Sequence, residues 1–166
     1  MLAILKQTPE PGFVIGDVPM PSPAAGQVLL RVAATSVCGT DVHLYDWNPW
    51  AAARVHPPRV VGHEVCGEVV GWGDGVHGPA LGTRVAVESH IICGHCDECR
   101  RGDFHVCENT RILGVDVDGA FATIYGEARL THFQVWAYQV NPQQVSVGDL
   151  IDLSKRLDGS QTVRFN

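Results

Sequence analysis

The four cysteines crowded between positions 93 and 107 constrain this chain more than any other feature. Cys93, Cys96, Cys99 and Cys107 lie in ICGHCDECRRGDFHVC, three of them at intervals of three and the fourth eight residues on. Four thiolates suit a tetrahedral zinc with sulfur at about 2.3 Å, and a loop that turns back at Gly94 and Gly102 can surround one ion. Two local disulfides or four buried thiols are the competing readings. Neighbours three apart seldom meet disulfide geometry in an irregular loop, and the amino terminus MLAILKQTPEPG lacks a signal-peptide core, so a reducing, cytoplasmic setting is expected. A four-thiolate iron–sulfur cluster stays open as the other metal reading. Because four thiolates leave no position for a substrate, the lobe over about residues 90–108 is expected to stabilise rather than catalyse.

The rest of the chain bounds what surrounds that lobe. At 166 residues it has the length of one domain, and its 18% charged content and 18 glycines favour a turn-rich β protein over a helical bundle. Short β-branched runs bounded by Gly or Pro read as strands: Leu2–Ile4, Phe13–Ile15, Val28–Val32, Val65–Val70 and Arg84–Glu88. A net charge of −6 gives no reason to bind nucleic acid, and no apolar run approaches the roughly 18 residues of a membrane span.

A second set of donors sits upstream. Within SVCGTDVHLYDWNPW and VVGHEVCGEVV, Cys38, His63 and Glu64 supply a thiolate, an imidazole and a carboxylate, a set that suits a zinc with one position left open. Spacing alone leaves the bland reading standing, since a lone Cys is often core and a lone His often a satisfied polar residue. The order of motifs adds more. Cys38-Gly39-Thr40-Asp41-Val42-His43, Gly62-His63-Glu64, Gly67-Glu68-Val69-Val70, Gly82-Thr83-Arg84-Val85 and the four-cysteine loop together resemble the catalytic domain of the zinc-dependent medium-chain alcohol dehydrogenases. CGTDVHLYDWNPWA with GHE is similar, within that superfamily, to the L-threonine 3-dehydrogenases, and the resemblance covers about residues 1–122.

That resemblance implies a mainly β fold, a GroES-like barrel with a zinc-binding lobe. It implies a catalytic zinc on Cys38, His63 and Glu64 and a structural zinc on Cys93, Cys96, Cys99 and Cys107. It further implies NAD-dependent oxidation of a small-molecule alcohol, L-threonine to 2-amino-3-ketobutyrate, with zinc as Lewis acid. Thr40 and His43 are the family's proton-relay pair, and their spacing puts both on one side of a helical turn after Cys38. The bland alternative is that Thr40 caps that helix and His43 is merely exposed. Self-association into a homo-oligomer is left open.

Other features are set aside. Gly73-Asp74-Gly75-Val76-His77-Gly78 matches G-x-G-x-x-G but leads to Pro79 and no helix, so a barrel turn is expected rather than a pyrophosphate cradle. Cys66 reads as a core thiol, and Trp47 and Trp50 either wall a substrate cleft or pack on the barrel. His77, His90, His95, His105 and His132 have no evident partner set.

After Gly119-Ala120-Phe121-Ala122 the resemblance stops. Residues 123–166 carry five of the seven glutamines and none of the cysteines, and no dinucleotide-binding Rossmann unit is recognisable. A short C-terminal helix is expected at 148–158, with Leu150, Leu153 and Leu157 on one face, Asp149 at the start and Gly159 beyond the end. Loss of a nucleotide domain and unrelated sequence after a truncation or frame change are the two readings of this tail. The rival from another class is a non-enzymatic, zinc-stabilised GroES-like interaction module.

Overall fold

The computed structural model describes residues 1–129 and 135–136; the expected helix at 148–158 and the rest of the tail lie outside them. Strands dominate: β1 (Leu2–Lys6), β2 (Val14–Asp17), β3 (Gln27–Ser36), β4 (Arg59–Val60), β5 (Glu64–Trp72), β6 (Arg84–Val87), β7 (His90–Ile91), β8 (Arg111–Ile112), β9 (Ile124–Arg129) and β10 (Val135–Trp136). Three short helices interrupt them, α1 (Gly39–Asp46), α2 (Pro49–Arg54) and α3 (Asp97–Arg101). The sheets run β2-β1-β4, β10-β6-β5-β3-β9 and β7-β8, and all named pairings are antiparallel. This is the mainly β architecture expected from the sequence.

Strand alternation builds the main core. Val28 and Leu30 of β3, Val65 and Val69 of β5 and Val85 of β6 are buried and meet Leu113, Ala120 and Tyr125 in one cluster. The β3–β5 register shifts between Leu29 and Leu30 and again between Val32 and Ala34, and such bulges curve a sheet toward closure. The same alternation corrects the expectation for Cys66. It stands on the face opposite Val65 and Val69, half-buried, paired with Ala34 and Ala86 and outside the core clusters.

The apparent dinucleotide motif is a connection between β5 and β6, as expected. A Cβ on Gly73 would overlap the carbonyl of Ala24, and Gly73 N donates to Gln27 O at 2.9 Å, so glycine here serves a close backbone crossing.

One buried cation ties the amino-terminal strand to the helical region. Lys6 is fully buried, and its ammonium donates to the carbonyls of Glu10 (2.5 Å), Gly12 (3.0 Å) and Tyr45 (3.2 Å) while lying over the rings of Phe13 and Trp47. Three donors meet three carbonyls, which satisfies a charge that would otherwise be costly to bury. Trp47 also packs against a second buried cluster, formed by Leu44, Ala51, Val55, Val61, Val115 and Phe121. Among the described residues no helix is long and apolar enough to cross a membrane.

Candidate metal centres

The four cysteines of the lobe converge as their spacing suggests. Their Sγ atoms all lie within 4.8 Å of one another, with Cys93–Cys107 at 3.6 Å, Cys96–Cys107 at 3.9 Å and Cys93–Cys99 at 4.0 Å. Sulfurs at 2.3 Å from a tetrahedral zinc would stand roughly 3.8 Å apart, whereas a disulfide needs about 2.05 Å. All six cysteines are free. The donor set therefore fits a four-thiolate metal and not the disulfide reading.

The lobe's backbone is shaped for that role. Cys96 is the N-cap of α3, its Sγ accepting from Cys99 N at 3.5 Å, and Gly102 closes the helix at φ 89°. Cys93 Sγ accepts from Cys96 N and Cys107 Sγ from Cys93 N, each at 3.4 Å. Backbone N–H groups of His95 and Cys96 pull the Cys93 thiol down to about 6, while burial and the neighbouring sulfurs push Cys99 up to about 12. Four thiols this close resist ionising together, and a divalent cation reverses that resistance.

Cys38, His63 and Glu64 are also brought together, with one ligand atom of each within 4.8 Å of the others. The β3–β5 ladder does this. Its terminal pair, Ser36↔Glu64, sets the end of β3, which runs into Cys38, beside the start of β5, which follows His63. Ser36 Oγ donates to Glu64 Oε2 at 2.5 Å, and Cys38 Sγ lies 2.8 Å from His63 Nε2. A tetrahedral zinc would hold such a sulfur and nitrogen roughly 3.5 Å apart, so the pair must open by less than an ångström to accept one.

Two further features prepare the site. Cys38 is the N-cap of α1, its Sγ accepting from Thr40 N at 3.3 Å, which fixes the sulfur at the start of the helix. Asp41, 2% exposed, accepts from Cys38 N through Oδ2 at 3.0 Å, and its Oδ1 faces His63 Nδ1 at 3.6 Å. Burial raises the Asp41 carboxyl above its ordinary range, with the Cys38 N–H and then His63 pulling it back. Among the described residues Asp41 Oδ1 and His63 Nδ1 have no other hydrogen-bond partner, so each is the other's natural complement: Nδ1–H toward the carboxylate, with the Nε2 lone pair on the Cys38 side where a metal would bind. Asp41 escaped the sequence reading, although its place three residues after an N-cap follows capping-box spacing. Asp41→Asn is expected to weaken zinc binding at Cys38/His63/Glu64 by about 10- to 100-fold and to leave the four-cysteine site unchanged. Competitive chelator titration checks this, and equal affinities in variant and wild type would refute it.

Thr40 and His43 both lie on α1, Thr40 half-buried and His43 exposed, and no hydrogen bond of the described residues joins them. The N-cap is Cys38, so Thr40 is not the capping residue. His43 Nδ1 instead meets Asn48 Nδ2 at 2.9 Å, and Trp50 lies beside its ring at 6.3 Å. A separate groove of about 460 Å³, lined by Val18, Met20, Val60, Ile124 and Tyr125 among others, includes none of these residues.

Comparison with known proteins places this arrangement in a family. The model of the alcohol dehydrogenase GroES-like domain matches residues 24–129. The L-threonine 3-dehydrogenase of Pyrococcus furiosus is 54% identical over 122 residues, which are 74% of this chain and 35% of that protein. That of Symbiobacterium thermophilum is 49% identical over the same coverage. The chain thus spans about a third of the length of these relatives. Among solved structures, the alcohol dehydrogenase TADH from Thermus sp. ATN1 aligns at TM-score 0.72 and 28% identity, over 85% of this chain and 41% of that one. The alcohol dehydrogenase of Aeropyrum pernix aligns at TM-score 0.71 and 29% identity, over 92% and 43%. With strands, lobe and donor clusters in the order its motifs implied, the chain belongs to the alcohol dehydrogenase GroES-like domain family.

Proposed function

We propose that this chain is the zinc-bearing catalytic part of an NAD-dependent dehydrogenase that oxidises the side-chain hydroxyl of L-threonine to the ketone. The observation that carries the reading is the convergence of Cys38, His63 and Glu64, with Asp41 behind the imidazole, in a chain half-identical to L-threonine 3-dehydrogenases over 122 residues. A zinc there supplies Lewis-acid polarisation of the substrate hydroxyl, lowering its pKa. The chain's own residues do the rest. Asp41 orients His63, the α1 amino terminus fixes the Cys38 side chain through the Thr40 N–H, and Ser36 steadies Glu64. The Thr40 hydroxyl takes the substrate's hydroxyl proton as it gives its own toward His43, an exposed imidazole suited to exchange with water. A nicotinamide cofactor, when bound, would accept the carbon-bound hydrogen as hydride, so that the alcohol would lose two electrons and two hydrogens in all. A second zinc, on Cys93, Cys96, Cys99 and Cys107, holds the lobe.

The test is a chimera in which the aligned 122 residues replace those of the Pyrococcus furiosus relative. It is expected to oxidise threonine with NAD, and Thr40→Val within it to lower kcat by about 10²- to 10⁴-fold. A folded, zinc-loaded chimera inactive on threonine would overturn the substrate assignment, and undiminished kcat in Thr40→Val would overturn the relay.

A further inference from the structure

We propose that Asn48 is a positioning residue that locks His43 as its Nε2–H tautomer, so that the proton His43 exchanges sits on Nε2. The inference rests on the relay reading above for its consequence, while its geometry stands apart from any metal.

The orientation of the Asn48 amide is settled by chemistry. Asn48 is the N-cap of α2, with extended backbone at φ −68° and ψ 171°, and its Oδ1 accepts from Ala51 N at 3.0 Å. A backbone N–H can only donate, so the atom facing Ala51 is the oxygen and the NH₂ must face the other way. That NH₂ lies 2.9 Å from His43 Nδ1. An amide NH₂ has no lone pair to offer, so Nδ1 is the acceptor, and a neutral imidazole accepting there carries its hydrogen on Nε2.

The backbone holds the two residues in this relation. Trp47, at φ 53°, turns the chain back at the end of α1, and Asn48 N donates to His43 O at 3.3 Å. Pro49 then starts α2, where a missing N–H costs nothing. Trp50 lies beside His43 at a ring separation of 6.3 Å and a tilt of 59°. With Nδ1 engaged, Nε2 is the ring atom left to meet a relay partner. Asp would cap α2 as well as Asn does, yet it would present His43 with an acceptor; the choice of amide over carboxylate therefore sets the tautomer.

Nitrogen-15 NMR of the histidine-labelled full chain, recorded above the imidazole's titration range, reads the tautomer without turnover. Wild type is expected to show His43 as Nε2–H. Asn48→Asp is expected to reverse it to Nδ1–H, and Asn48→Ser, which keeps a capping oxygen, to shift the ratio about fivefold toward Nδ1–H, the effect of one donor hydrogen bond. Far-UV circular dichroism confirms that each variant is folded. An Nδ1–H His43 in wild type, or the same tautomer in wild type and both variants, would overturn the proposal. Failure of the relay reading shows differently, as undiminished kcat in Thr40→Val of the chimera, a variant that leaves the His43 tautomer where Asn48 puts it.

Discussion

Replacing Cys99 by Ser is expected to strip the lobe of its metal and unfold it, while the sheets around Val28, Leu30, Val65 and Val69 stay folded. The reason is the lobe's want of any other core. Its buried cluster consists of Ile92, Cys99 and Cys107, with Cys93, Cys96 and Phe104 packed against it, so the ligands are most of what is buried. The β7–β8 ladder beneath it joins only four residues, His90 and Ile91 with Ile112 and Arg111. Without a cation, four sulfurs within 4.8 Å resist ionising together, and a few N–H···S bonds with Ile92 and Phe104 are left to hold α3 and the Cys107 turn inward. Loss of one of four ligands should weaken zinc binding by more than the roughly 100-fold that an outer-shell change costs. Amide hydrogen exchange over residues 92–107 should rise toward that of an unfolded chain, and wild type treated with a strong chelator should match it. Full protection of Cys99→Ser in this segment would show that the lobe stands without its metal.

Gly62→Ala is expected to destabilise the main body by about 3 kcal/mol and to impair the neighbouring zinc site. Two costs add. Gly62 has φ 93°, where a side chain is strained by roughly 1–2 kcal/mol, and a Cβ there would overlap the Phe121 ring, an overpacking cost of about 1–3 kcal/mol. Relief is hard to find, because Gly114 and Gly119 press on the other side of Gly62, and Ala120 N donates to Gly62 O at 2.9 Å. For a chain of this length the loss corresponds to a fall in Tm of roughly 10 °C. His63 follows directly, so zinc affinity at Cys38/His63/Glu64 should fall with it. Gly39→Ala is the control: Gly39 has ordinary φ and open space for a Cβ. Calorimetric melting of the two variants checks the contrast, and a Gly62→Ala chain melting with wild type would contradict it.

What the sequence disclosed follows from how far each interaction reaches along the chain. Val28–Val32, Val65–Val70 and Arg84–Glu88 announce strands because β-branched residues crowd them, and they lie in β3, β5 and β6 apart from Glu88 at the end. The lobe was legible because its ligands are local, and Cys38, His63 and Glu64 were legible through an ordered set of motifs rather than their spacing. Side chains whose role depends on a remote backbone were not. Lys6 looks like a surface charge until Tyr45, 39 positions on, brings its carbonyl to it. Cys66 sits in an apolar run, and only the register with Ala34 and Ala86 shows which face it occupies. Asp41 and Asn48 act through caps, and a search for capping pairs around Cys38 and Pro49 would have drawn attention to both.

The central claim is that one chain holds two separate zinc sites of different chemistry, and metal content measured on the purified chain and two variants tests it most directly. Two zinc ions per chain are expected in wild type and one in each of Cys38→Ser and Cys99→Ser, with none in the double variant. A single zinc in wild type that persists in Cys38→Ser, or iron in place of zinc on the four cysteines, would contradict the account.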